Sequence, residues 1–195
     1  MATKNILIVV DVQNDFIYGQ FSTKQARNII NPIFQEIYNS TAFYDTVIFT
    51  KDSHKKEEFS NGKNLSYEGR HFNTHCLVDT ADTDIVYPLN PTKGMVVLKD
   101  TFDGSLRIIE ALKNKYPSED IYNIYICGVC TDICVVATAL GFADLHSINE
   151  IAVISDLCAG TSPKGHKAAL AALSPFGIKT YTTKQLKKIR KGEQL

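Results

Sequence analysis

Residues 121–143, IYNIYICGVCTDICVVATALGFA, constrain the fold of this chain more than any other stretch. Ile121 to Ile126 is rich in aromatic and β-branched residues and reads as a buried strand. Cys127-Gly128-Val129-Cys130 makes the turn, and Thr131 opens an apolar helix. A buried strand leading into a helix is the unit from which parallel α/β sheets are built. With Thr131 as N-cap, Cys134 falls in the helix's first turn, where outward N–H groups and the dipole favour a thiolate. The competing reading is a buried structural cysteine, since free Cys is among the most buried residue types.

The same unit recurs along the chain. Ile6 to Val10 is a short apolar run that ends in Asp11, as a central parallel strand would. Further strands are expected at Asp45–Thr50, Met95–Leu98, Ile151–Ser155 and Ile178–Thr182. Helical spacing of apolar residues covers 24–40, with Pro32 as an interior kink. It returns at Leu106–Lys115 and about Lys164–Leu173, before a basic tail from Lys184. Residues 55 to about 94 are polar and aperiodic, and a segment of that length in a compact domain is usually functional. The alternation gives an α/β class with a mainly parallel sheet of about six strands, and 195 residues suit a single domain over 1–195.

Charge excludes some partners. Lys+Arg and Asp+Glu balance at 21 each, so nothing electrostatic calls for a nucleic acid or an anionic membrane. The apolar run between Asn5 and Asp11 is too short for a signal peptide or a membrane span. Five cysteines without a secretory signal point to the cytoplasm and free thiols.

Ligands of parallel sheets bind beyond the carboxyl ends of the strands. Asp11, Asp52, Lys99 and Cys134 each follow a predicted strand, so the fold should bring all four to one edge. Asp11, Lys99 and Cys134 then supply a base, a cation and a nucleophile, the set needed to hydrolyse an amide through a thioester. Asp52-Ser53-His54 with His75 reads as a divalent-metal site. Glu58 is an additional candidate ligand, and His71 competes with His75. Cys127 and Cys130 also have the spacing of a dithiol redox motif, an alternative of a different class.

The chain resembles the isochorismatase-like cysteine hydrolases, and among them the nicotinamidases. The resemblance runs from VVDVQNDF to PKGHKAAL. It rests on D-x-Q-x-D-F, T-K-D-S-H, the His75-Cys76 pair, Lys99 before TFDGS, and G-V-x-T-D-x-C-V, in this order and spacing. It implies a three-layer α/β/α fold, Asp11 as general base, Lys99 as catalytic lysine and Cys134 as nucleophile. It also implies a divalent ion (zinc, iron or manganese) on Asp52, His54 and His75, with the metal at the pyridine nitrogen of the substrate nicotinamide. Phe16 and Phe72 correspond to rings that flank the substrate. A cis Val129–Cys130 peptide would aim the backbone N–H groups of Cys130 and Cys134 at the oxyanion. Family members often form dimers or tetramers, so a homo-oligomer is implied. Ser53, Lys55, Phe72 and Cys130 depart from the common pattern, which leaves a second substrate class, another small amide or carbamoyl compound.

Overall fold

A computed structural model of the chain describes residues 3–59, 66–89, 91, 94–118 and 121–194. In chain order the elements are β1 (Lys4–Val10), α1 (Asn14–Ile17), α2 (Lys24–Asn28), α3 (Ile30–Asn39), β2 (Thr46–Asp52), α4 (Tyr67–His71), β3 (Met95–Lys99), α5 (Ser105–Lys115) and β4 (Tyr122–Val129). A π turn (Thr131–Val135), α6 (Val136–Ala143), β5 (Ile148–Ala159), α7 (Pro163–Leu173), β6 (Lys179–Tyr181) and α8 (Thr183–Arg190) complete them.

The six strands form one all-parallel sheet in the order β3-β2-β1-β4-β5-β6. The chain winds outward from β1 to β3, then returns to β4 and continues to β6. Right-handed crossovers place the helices of the two legs on opposite faces, which gives the three layers. One face carries α5, α6 and α7, which pack in sequence against one another. On the other, α8 is tied to α3 through an Arg190–Glu36 ion pair. β1 and β4, covered on both sides, supply the core: Ile6, Leu7, Ile8, Ile124 and Ile126 are fully buried.

The winding reverses between β1 and β4, and such switch points are where ligands bind. The two strands approach closely there. Val10 pairs with Gly128, whose φ of +118° and lack of a side chain permit the contact. A methyl at Gly128 would lie 2.2 Å from the Val10 carbonyl oxygen.

Several boundaries differ from the sequence expectation. The 24–40 helix is two helices that break at Ile29, and Pro32 sits in the first turn of α3, where its missing N–H is not needed. The basic tail is the helix α8, capped by Thr182. β5 runs on to Ala159 because it bulges between Val153, which pairs with Ile126, and Cys158, which pairs with Gly128. The long polar excursion after β2 returns across the sheet's carboxyl edge, making single bridges from Leu77 to His54 and from Ile85 to Gln13. Residues 60–65, 90, 92 and 93 of that excursion lie outside the described residues. Among the described residues no helix is long and apolar enough to cross a membrane.

Candidate active site

Strand register places the charged residues. Asp52 pairs with Lys99 at the ends of β2 and β3, and Asp11 follows the last residue of β1. All three are buried. Lys99 Nζ lies 2.7 Å from Asp11 Oδ2, 3.1 Å from Asp52 Oδ1 and 3.8 Å from Cys134 Sγ. One ammonium thus touches two carboxylates and a thiol from three other segments.

Asp11 has a φ of 50°, a left-handed conformation that Asp tolerates better than most residues. Thr50 on β2 fixes it twice: its hydroxyl accepts the Asp11 N–H at 3.1 Å and donates to Oδ1 at 2.6 Å. Oδ2 has no hydrogen-bond partner besides its ion contact with Lys99, so it keeps acceptor capacity at the site. Burial pushes the Asp11 carboxyl above its ordinary value, against the opposing pull of Lys99 and Thr50. The same ion contacts outweigh desolvation at Lys99 and hold it protonated.

Cys134 is brought to this group by a turn that differs from the expected one. Cys130, not Thr131, occupies the N-cap position and makes no side-chain cap; the Thr131 hydroxyl instead meets His166 Nδ1 at 2.9 Å. The first turn is π-helical. The Cys130 carbonyl accepts from the N–H groups of Ile133 and Val135, stepping over Cys134. The Val129–Cys130 peptide is cis. Burial raises the Cys134 thiol well above its ordinary value despite Lys99 beside it. That direction favours the thiol over the thiolate expected from the helix dipole alone.

A second cluster adjoins Asp52. His54 Nε2 lies 3.1 Å from Asp52 Oδ2 and 3.4 Å from Glu68 Oε2, and His75 Nε2 lies 3.3 Å and 3.7 Å from the same two oxygens. These four donor atoms lie within 4.8 Å of one another, and all four residues are buried. The opposite ring nitrogens are engaged: His54 Nδ1 meets Glu58 Oε2 at 2.9 Å and His75 Nδ1 meets the Asn73 carbonyl at 2.7 Å. Such partners take the Nδ1 proton and turn the Nε2 lone pair inward, the usual support of a metal-ligating imidazole. The charge balance also calls for a cation. Although burial opposes it, Asp52 and Glu68 raise His54 to about 11 and His75 to about 9. Against burial again, Lys99 and then the two imidazoles hold Asp52 well below the usual carboxylate range. Two protons or one divalent ion would satisfy this set, and two imidazoles with two carboxylates fit a metal of the zinc, iron or manganese type.

Asp52, His54 and His75 thus converge as expected. Glu58 does not join them; it orients His54 from outside. The fourth donor is Glu68, on the single-turn helix α4 capped by Ser66. His71 is excluded by position, since it is exposed, stacks on Tyr67 and bonds that residue's carbonyl.

Between the two groups lies an apolar pocket of ≈ 90 Å³, small for a ligand site. Phe16 and Phe72 line it as expected, together with Phe21 and Phe102, which the sequence did not single out. Phe21 lies edge-on to His75 at 5.2 Å, and Phe72 and Phe102 are 5.7 Å apart. Cys130, Ile133, Cys134 and Thr161 close the other wall. The two cysteines of the C-x-x-C spacing occupy different surroundings: Cys127 is core, close to Cys158, whereas Cys130 lines the pocket near Asp11 and Lys99. Both thiols are free.

The opening motif has a further layer of roles. Gln13 Nε2 donates to the Asp52 and Thr83 carbonyls while Gln13 Oε1 accepts the Asp52 N–H at 2.7 Å. Asp15 Oδ2 accepts the N–H of Cys76 at 2.9 Å, which anchors the backbone next to His75.

Residues 5–185 match the isochorismatase domain model. The chain belongs to the isochorismatase domain family. Among curated relatives it is 27% identical to a nicotinamidase of Schizosaccharomyces pombe, over 95% of this chain and 97% of that one. Among solved structures, a pyrazinamidase of Pyrococcus horikoshii in complex with zinc matches with a TM-score of 0.75 and 26% identity, covering 92% of this chain and 99% of that one. An isochorismatase-like hydrolase of Alkaliphilus metalliredigens shares the fold at a TM-score of 0.78 and 21% identity, covering 96% of this chain and 100% of that one. In this family member, then, the expected fold is present, and one pocket is lined both by Cys134 and by Asp52, Glu68 and His75 of the buried four-donor cluster.

Proposed function

We propose that this protein hydrolyses nicotinamide to nicotinate and ammonia by covalent catalysis at Cys134, with a divalent ion held by Asp52, His54, Glu68 and His75. One observation carries the reading: Lys99 touches Asp11, Asp52 and Cys134 at once, which joins a nucleophile–base pair to a four-donor metal cluster at one small aromatic pocket. Similarity to the nicotinamidase of Schizosaccharomyces pombe supports the substrate, and the zinc complex of the Pyrococcus horikoshii pyrazinamidase supports the metal.

A bound divalent ion would supply Lewis-acid affinity for a ring nitrogen and so orient the substrate. Phe16, Phe21, Phe72 and Phe102 would enclose the ring and exclude water. Asp11, its carboxyl raised by burial, takes the Cys134 proton as sulfur attacks the carboxamide carbon. Lys99 remains a cation beside the forming thiolate. The Cys130 and Cys134 N–H groups face the oxyanion, and losing one such donor typically costs about 3–4 kcal/mol of barrier. Asp11 passes its proton to the departing nitrogen, which leaves as ammonia. Water then attacks the thioester and gives one proton to Asp11, which returns it to the departing sulfur; the acid formed loses the water's other proton to solvent and leaves as nicotinate.

Ammonia release from nicotinamide, with and without a chelator, tests the reading. Activity should be lost with metal and return on adding zinc, manganese or iron. Cys134→Ala should abolish turnover while the circular dichroism spectrum stays unchanged. Near-normal turnover in that variant sinks the thioester mechanism, and hydrolysis of a carbamoyl compound but not nicotinamide would select the second substrate class. The five unpaired thiols support a reducing compartment for the enzyme.

A further inference from the structure

Asp132 lies two residues before the nucleophile yet has no part in the chemistry above. Its Oδ1 accepts the Thr161 N–H at 2.9 Å and its Oδ2 accepts the Thr161 hydroxyl at 2.5 Å. The loop between β5 and α7 closes tightly around this carboxylate: a methyl at Gly165 would lie 2.1 Å from Oδ2. Thr161 in turn lines the pocket beside Cys130, Ile133 and Cys134. It is the one hydroxyl among the described lining residues. The remaining oxygen and nitrogen side chains there, on Asp52, Glu68 and His75, belong to the metal cluster.

A carboxylate can only accept hydrogen bonds, so the Thr161 proton is committed to Asp132. What the hydroxyl has left is lone pairs. We infer that Asp132 and Thr161 form a polarity-setting pair, in which Thr161 Oγ1 offers the pocket an acceptor that suits the –NH₂ of a carboxamide and opposes the carboxylate of the acid product. Thr161 is then a specificity-determining residue and Asp132 the residue that positions it. The pair favours substrate over product through a repulsive element, as selective sites commonly do. The inference rests on the proposed amide hydrolysis and adds to it how amide is told from acid.

The experiment measures kcat and KM for nicotinamide and the inhibition constant of nicotinate in four proteins: wild type, Thr161→Val, Thr161→Ser and Asp132→Asn. Thr161→Val keeps the shape and removes the acceptor. The ratio of the nicotinate inhibition constant to KM should fall by roughly three- to tenfold, the worth of one neutral hydrogen bond. Thr161→Ser should restore the ratio. In Asp132→Asn the new amide can donate to Oγ1, which frees the hydroxyl proton to face the pocket. Nicotinate should then inhibit more strongly than in wild type. A merely structural role would change kcat or stability and leave the ratio alone. A Thr161→Val ratio within about twofold of wild type overturns the inference. Absence of ammonia release from the wild-type protein overturns the functional reading and the inference together; turnover with an unmoved ratio overturns the inference only.

Discussion

Lys99 Nζ lies 3.1 Å from Asp52 Oδ1, while Asp52 Oδ2 faces the two imidazoles at 3.1 and 3.3 Å. One buried carboxylate therefore contacts both the ammonium beside Cys134 and the four-donor cluster. Asp52→Asn should lose tight metal binding and, in addition, remain at least about a hundredfold low in kcat/KM when metal is saturating, as loss of a preorganised charge commonly costs. The check is a rate titrated with zinc or manganese. Full recovery at high metal would mean that Asp52 acts on the ion alone.

Glu58 should behave differently, because it touches His54 only from the Nδ1 side, at 2.9 Å. Partners of this kind tune affinity by about 10- to 100-fold. Glu58→Gln is expected to weaken metal binding in that range, read by competition with a chromogenic chelator, and to regain wild-type kcat once metal is saturating. A kcat that stays low would place Glu58 closer to the chemistry than its contacts indicate.

The pH dependence follows from Asp11. In the proposed mechanism Asp11 must be ionised to take the Cys134 proton, so activity should be lost as pH falls through its pKa. Burial raises that pKa above the ordinary 3.8, and the Thr50 hydroxyl, which favours the ionised form, opposes the rise. Thr50→Val removes the opposition, so the acid limb of kcat/KM should move to higher pH, with activity on the alkaline side of that limb retained. A limb that stays in place, or moves down, would remove Asp11 as the group that titrates there.

How legible this site was in the sequence depended on what fixed each residue. Asp11, Asp52, Lys99 and Cys134 were found because each ends or follows an apolar run, and strand ends converge in any parallel sheet. Glu68 was not, because it lies in an aperiodic stretch where spacing cannot separate it from Glu58. Only the path of the chain over the sheet decides which carboxylate faces inward. Thr50 was hidden for another reason: it sits inside a strand, where Thr reads as an ordinary β-former, and its value comes from Asp11 on the neighbouring strand. The turn before Cys134 misled through its residue types. Thr131 has the chemistry of an N-cap, but His166, from α7, takes its hydroxyl and the first turn opens to π.

The basic C-terminal segment was the other such case, and it carries a stability prediction. Arg190 lies on α8 with its side chain 13% exposed, and it pairs with Glu36 on α3, whose side chain is 3% exposed. It also meets the Tyr44 hydroxyl at 2.6 Å and stacks on Phe43 with 4.4 Å to the ring centre. Lysines and arginines near a terminus usually read as a solvated tail; here one of them closes the layer. Arg190→Ala leaves the buried Glu36 carboxylate without its cation, held by the Tyr44 and Ser40 hydroxyls, and breaking a buried pair in this way costs about 3–5 kcal/mol. Urea unfolding should show that loss as a lower midpoint. The double variant Glu36→Leu/Arg190→Met removes both charges and refills the space, so it should be more stable than Arg190→Ala alone. If the double variant is no better, the cost lies in lost stacking on Phe43 and Tyr44 and not in the stranded charge.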